Sequence, residues 1–127
     1  MTERVPFEYA VLRVVPRVER GEAINAGVIV YCRDTNFLGA RVHLDTARLA
    51  ALDPSADPAA IAAALRAAAG TCDGDGPAAE EGIGQRFRWL TAPRSTVVQP
   101  GPVHTGLTTD AAAELDRLMR VLALPLG

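Results

Sequence analysis

Two stretches of this chain, far apart in sequence, carry side chains that could bind an anion. The first is residues 9–31, where two strand-like apolar runs flank a polar turn, and the second is residues 93–106. If the second stretch pairs beside the first, both sets of polar groups would surround one pocket. Arginine guanidinium groups bind phosphate or carboxylate with paired hydrogen bonds, and hydroxyl groups complete such sites. The candidate anion-binding residues are Arg13, Arg17, Glu19, Glu22, Asn25, Arg94, Ser95, Thr96, His104 and Thr105.

The same charged residues have a structural interpretation, which we favour. In it, Arg13 and Arg94 form ion pairs with Glu19 and Glu22 and thereby fix the turn. Paired charges at the ends of strands are usually structural or only weakly coupled. The residue types alone do not decide between the binding site and the ion pairs.

Catalytic interpretations have weaker support. Ser95, His104 and Asp110 have the residue types of a hydrolase triad, but no Gly-x-Ser-x-Gly turn surrounds the serine. Cys32 ends an apolar strand and is predicted to be a buried core thiol, although His43 could in principle activate it. We therefore assign no catalytic residues and expect a protein that is not an enzyme.

Metal and cofactor signatures are also incomplete. The two histidines and two cysteines follow no known ligand spacing. Asp73 and Asp75 resemble the start of a calcium loop, but Gly84 stands where the bidentate glutamate is needed. All 13 basic residues are arginine, so the chain has no lysine for a Walker-type phosphate loop or a Schiff base. We predict no metal and no cofactor.

Bulk properties place the chain among ordinary globular proteins. Its 127 residues fit one domain, predicted to span residues 1–127, and the net charge of -2 does not favour nucleic acid. Contact with single-stranded nucleic acid needs at least a few positive charges and one stacking ring, which are present as Arg86, Arg88, Arg94 and Trp89. Nucleic-acid binding is therefore an alternative that we do not favour. No apolar run approaches a membrane span, no signal peptide is recognisable, and two unpaired cysteines indicate a reduced cytoplasmic setting.

Residue alternation predicts the elements that must position these groups. Strands are predicted at residues 8–17, 24–32, 37–44 and 95–99, with residues 101–106 as a loop. Asp45 and Asp57 are predicted helix caps, Thr109 or Asp110 begins a last helix, and residues 82–90 are ambiguous between helix and strand. Short connections favour an antiparallel arrangement. We predict an α+β fold, with a mainly antiparallel sheet of about four strands and three or four helices packed on one face.

Several motifs make the chain similar to a known family. Tyr9-x-x-x-Arg13-x-x-Pro16 is followed by Glu19-Arg20-Gly21-Glu22-x-Ile24-Asn25-x-Gly27-Val28, and the later motifs are Trp89-Leu-Thr-Ala-Pro-Arg-Ser-Thr96 and His104-Thr105-Gly106. They resemble the DUF3037 family of small bacterial proteins, and the likeness covers nearly the whole chain. The resemblance implies a single domain whose function is unknown, and some members stand beside genes for HipA-like kinases. It transfers no catalytic residues.

The functional prediction is an accessory or binding protein that acts through protein–protein contacts. The resemblance suggests a HipA-like kinase as partner, and a homodimer is also expected. The predicted contact surface comprises Phe37, Trp89 and the proline-rich residues 93–102. The alternative is a small-molecule binding protein or small enzyme that holds a phosphate or carboxylate in an arginine-lined pocket.

Overall fold

The computed structural model describes residues 3–126 and places a five-stranded antiparallel sheet between two layers of helix. The strands are β1 (Val5–Val14), β2 (Ile24–Cys32), β3 (Phe37–Val42), β4 (Val98–Pro100) and β5 (His104–Thr108). The helices are α1 (Thr46–Leu52), α2 (Pro58–Cys72), α3 (Ile83–Thr91) and α4 (Ala111–Leu118), and α4 continues into a π-helical turn (Met119–Ala123). Within residues 3–126, no helix is both long enough and apolar enough to cross a bilayer.

Strand β1 organises the sheet because both of its edges are paired. One edge pairs with β2, and β2 pairs in turn with β3. The other edge is shared, with β5 lying along Val5–Tyr9 and β4 along Leu12–Val14. The register of β1 and β2 shifts between Leu12 and Arg13, which marks a β-bulge. The first strand of the chain is therefore paired with strands that lie more than eighty residues later in the sequence.

The first face of the sheet carries the larger core. Leu12 and Val14 of β1 and Ile29 of β2 point to this face, and α1, α2 and α3 cover it. Each helix contributes fully or almost fully buried side chains. Those side chains are Leu49 from α1, Ile61 and Leu65 from α2, and Phe87 and Leu90 from α3.

The second face is covered by α4 and the π-helical turn. Phe7 of β1 and Val28 and Val30 of β2 point to this face and contact Leu115 and Met119 among other side chains. Strand β2 is thus buried on both faces, which explains why nearly every one of its residues is apolar. A strand of that composition needs an apolar layer on each side.

Three aspartates fix the beginnings of helices, as the sequence predicts for two of them and permits for the third. The Asp45 carboxylate accepts a hydrogen bond from the Arg48 amide, and Asp57 accepts from two amides at the start of α2. Asp110 does the same for α4. Each bond satisfies a backbone donor that the first helical turn leaves without an intrahelical acceptor.

The α+β class and the antiparallel sheet are confirmed, and several details differ from the sequence prediction or complete it. Residues 104–108, within and after the predicted loop, form β5, and helix α3 (Ile83–Thr91) accounts for most of residues 82–90, which were ambiguous. The helices cover both faces of the sheet rather than one, because β2 requires burial on both sides. The predicted strand boundaries are also displaced, since β1 ends at Val14 and β4 begins at Val98.

Candidate functional site

The structure distributes the predicted anion-binding residues over both faces of the sheet. Arg13 lies on β1 between Asn25 of β2 and Gln99 of β4. It alternates with Leu12 and Val14, so its side chain belongs to the second face. Its guanidinium lies over Gly101, where a Cβ atom would come within 3.1 Å of the Arg13 Cζ. Arg13 is therefore beside Asn25 but across the sheet from the α1–α3 layer.

Asn25 and His104 also make contacts that account for their positions. The Asn25 side-chain amide donates to the carbonyl of Leu122 at 2.9 Å and so ties β2 to the π-helical turn. His104 is the β5 partner of Tyr9, and the two ring centroids are 5.2 Å apart. These contacts hold the second face together.

Arg17 lies beyond the end of β1 and joins it to the segment after α1. Its guanidinium forms an ion pair with the buried Asp53 at 3.2 Å and donates to the Ser55 hydroxyl at 3.2 Å. The Ser55 hydroxyl and amide hydrogen bonds, helped by Arg17, lower the pKa of Asp53 below its ordinary value. The arrangement indicates a structural link rather than a free anion site.

The turn after β1 is stabilised by local contacts. Gly21 has a φ of 71°, a conformation that suits glycine, and Glu22 forms an ion pair with Arg20 at 2.6 Å. Glu19 is exposed. The four ion pairs within residues 3–126 do not include Glu19, Arg13 or Arg94, so the ion-pair interpretation does not describe this turn.

Arg94 belongs to the first face, where it closes the end of α3. Its guanidinium donates to the carbonyls of Trp89 and Ala92 and lies 5.0 Å from the centre of the Trp89 ring. Two residues further, the Thr96 hydroxyl donates to the Val98 carbonyl at 2.7 Å, and Ser95 between them is exposed. The structure does not bring Arg94 beside Arg13, because they lie on opposite faces.

Arg94 and Thr96 line a groove of about 520 Å³ between α2 and β4. We call it the α2–β4 groove. One wall is the small-residue face of α2, which includes Ala64, Ala67 and Ala68. The opposite wall combines Trp89 and Leu90 with the chain just before and within β4, and most of the lining is apolar. Trp89 is 42% exposed, so its ring is available to a ligand.

Charged groups stand at the rim of this groove. Arg94 and Arg66 lie on it together with Asp75. The excess of positive charge suits a ligand that carries at least one carboxylate or phosphate. Sequence reasoning identified Trp89 and the proline-rich segment but missed the α2 wall, whose alanine-rich composition was the available signal.

Within the described residues, the side chains considered for catalysis or metal binding are not brought together. No group of three or more His, Cys, Asp or Glu side chains within residues 3–126 could hold a metal ion. Asp110 is occupied as a helix cap and His104 packs on Tyr9, and no hydrogen bond joins them to Ser95 in the described residues. Burial raises the pKa of the Cys72 thiol to about 12, which keeps it protonated and unreactive.

Comparison with known proteins gives one result. The family model described as "Protein of unknown function (DUF3037)" matches residues 9–123. No curated protein and no solved structure matches the chain. The match covers β1 from Tyr9 onward, the turn at Gly21, β2 to β5 and helices α1 to α4, so the chain belongs to the DUF3037 family.

Proposed function

We propose that this domain is a non-enzymatic binding protein and that its α2–β4 groove receives a segment of a partner protein. The segment would place an apolar side chain against Trp89 and the alanines of α2, and a carboxylate against Arg94. Its setting would be the bacterial cytoplasm, where the two buried cysteines, Cys32 and Cys72, would stay reduced.

The observation that carries the proposal is the stacked pair of Trp89 and Arg94. Trp and Arg are the residue types that contribute most to binding at protein interfaces. Here they lie in contact, at 5.0 Å, on the wall of an open and mostly apolar groove. Arg94 is held in place by two carbonyl groups of α3 and the chain after it, so little side-chain freedom remains to be lost on binding.

The proline-rich residues 93–102 contribute Arg94, Thr96, Val97 and Val98 to this surface, whereas Phe37 does not contribute to it. Phe37 packs against the core of the second face. The surface we propose is therefore continuous from Trp89 through Val98 and is limited to the first face. The HipA-like kinase that the family resemblance suggests is the first partner to test, and a second copy of this chain is the next.

The single tryptophan makes the test direct, because all tryptophan fluorescence comes from the groove. Titration with a purified HipA-like kinase from the same organism should shift the emission of Trp89. Arg94→Gln should weaken the interaction roughly tenfold or more, since a charge-assisted hydrogen bond is lost. Light scattering of the free protein tests the homodimer.

A capture experiment covers partners other than the kinase. The wild-type protein and Trp89→Ala would be immobilised and exposed to lysate of the source organism. A matched control is Val121→Ala, which trims a 58%-exposed apolar side chain on the π-helical turn. Proteins retained by wild type and Val121→Ala but lost with Trp89→Ala support the groove. Equal retention by all three variants would reject it.

The second candidate function is binding of a small phosphate or carboxylate compound in the same groove. Its support is the presence of Arg94 and Thr96 on the groove wall and a volume within the usual range for small ligands. The same fluorescence titration with inorganic phosphate and with short carboxylates tests it. Arg13, Arg17 and His104 stand outside this groove, so substituting them should leave such binding unchanged.

A further inference from the structure

A polar row crosses three strands on the first face, where β1 pairs with β2 on one edge and with β5 on the other. Glu8 of β1 is paired with Tyr31 of β2 on one side and with Thr105 of β5 on the other. Paired residues of antiparallel strands point to the same face, so the three side chains stand in line. The Tyr31 ring is itself fixed, because it stacks on the buried Phe87 at a centroid distance of 5.3 Å.

This row forms part of a cleft of about 320 Å³, and two other elements complete it. The turn between β2 and β3 contributes Arg33 and Asp34, and α3 contributes Arg88. The cleft thus contains two positive and two negative side chains. Among residues 3–126, none of the ion pairs closer than 4.0 Å involves any of these four groups.

The balance of charge favours one class of ligand over others. A simple anion would meet Glu8 and Asp34, and a simple cation would meet Arg33 and Arg88, so either would gain from two groups and be repelled by two. A molecule with one positive and one negative group a few bonds apart engages both sets. The volume is near the lower end for ligand sites, which favours a small molecule.

We propose that this cleft binds a free α-amino acid. Its ammonium group is placed against the Glu8 carboxylate, with the Thr105 hydroxyl beside it, and its carboxylate lies between Arg33 and Arg88. The ring of Tyr31 supplies an apolar wall for the amino-acid side chain. Because Trp89 does not line this cleft, the proposal is independent of the α2–β4 groove.

Isothermal titration with L-leucine tests the proposal, with L-leucinamide and acetate as probes that each carry one charge. We expect saturable binding of leucine, and binding of each single-charge probe should be weaker by roughly tenfold or more. In amide NMR spectra, leucine should shift the signals of Glu8, Tyr31 and Thr105 but leave the indole signal of Trp89 unchanged.

Glu8→Gln is the decisive variant, because it keeps the shape of the side chain and removes the charge. It should weaken leucine binding roughly tenfold to hundredfold. Glu80→Gln, in an exposed loop outside the cleft, is the matched control and should bind as wild type does. Absence of leucine binding, equal affinity for leucine and leucinamide, or unchanged affinity in Glu8→Gln would each overturn the proposal.

Discussion

Gly27 is the position where the structure makes its sharpest prediction about stability. It lies on the central strand β2, opposite Leu12 of β1 and Val42 of β3. A Cβ atom built on Gly27 would come within 2.7 Å of the Arg41 carbonyl oxygen and 3.0 Å of a Val42 methyl carbon. The oxygen belongs to the backbone of β3, so it cannot rotate away as a side chain would.

The expected cost of Gly27→Ala follows from two opposing contributions. Overpacking that moves backbone costs about 1–3 kcal/mol. Replacing glycine by alanine also restricts the unfolded chain, which stabilises the protein by about 0.4–1 kcal/mol. The net expectation is a loss of roughly 1–2 kcal/mol in the free energy of unfolding. For a chain of this length, that loss lowers Tm by about 3–8 °C.

Thermal unfolding followed by circular dichroism provides the measurement, with Gly82→Ala as the matched control. Gly82 precedes α3 with a φ of -67°, and no atom of residues 3–126 outside its immediate chain neighbours lies within 4 Å of a Cβ at that position. Its substitution should change the free energy of unfolding by no more than about 0.5 kcal/mol. A Tm for Gly27→Ala equal to or above that of Gly82→Ala would show that the close approach to Arg41 does not govern this site.

Three further predictions concern side chains. Asn25→Ala leaves the Leu122 carbonyl without its donor, so we expect a loss of about 1 kcal/mol and faster amide exchange in the π-helical turn, measured by NMR. Because the pKa of Asp53 is lower in the folded protein, its carboxylate stabilises the fold at pH values above the ordinary pKa of 3.8. This contribution disappears as the pH falls through the lower pKa of the folded state. In Asp53→Asn, the free energy of unfolding measured with urea should therefore fall less steeply as the pH is lowered. The same pH dependence as in the wild type would contradict this. Cys72, with its pKa near 12, should react with iodoacetamide only after unfolding, and rapid labelling of the native protein would disprove that.

Local signals explain which parts of the fold could be predicted from the sequence. The alternation of β1, the uninterrupted apolar run of β2 and the aspartate caps each act within a few residues, and all appear in the structure. Strand β5 could not be predicted in the same way, because its pairing with β1 joins residues such as Val5 and Thr108. Glycine and proline near this segment indicate a loop, and only the distant partner makes it a strand.

In the candidate site too, the positions set by local sequence could be predicted, whereas those set by packing between distant elements could not. The alternation of residue types correctly predicted that Arg13 and Leu12 point to opposite faces of the sheet, because that relationship depends on one strand alone. The position of Arg94 depends on α3 and its packing on the first face, which the sequence left ambiguous. The motif residues Gly21, Asn25 and Gly27 have structural roles here: a turn, a link to the last helix and a close strand contact. Of these three residues only Asn25 was predicted to bind an anion, and that role stays a prediction.

The double pairing of β1 also has a consequence for protein synthesis. As the chain leaves the ribosome, β1 and β2 can form a hairpin at once, but the other edge of β1 must wait for β4 and β5. Roughly eighty residues separate the end of β1 from β4. At about 5–20 residues per second, that edge stays open for roughly 4–16 seconds. During that interval an unfinished chain presents bare backbone donors and acceptors to its neighbours on the same polysome.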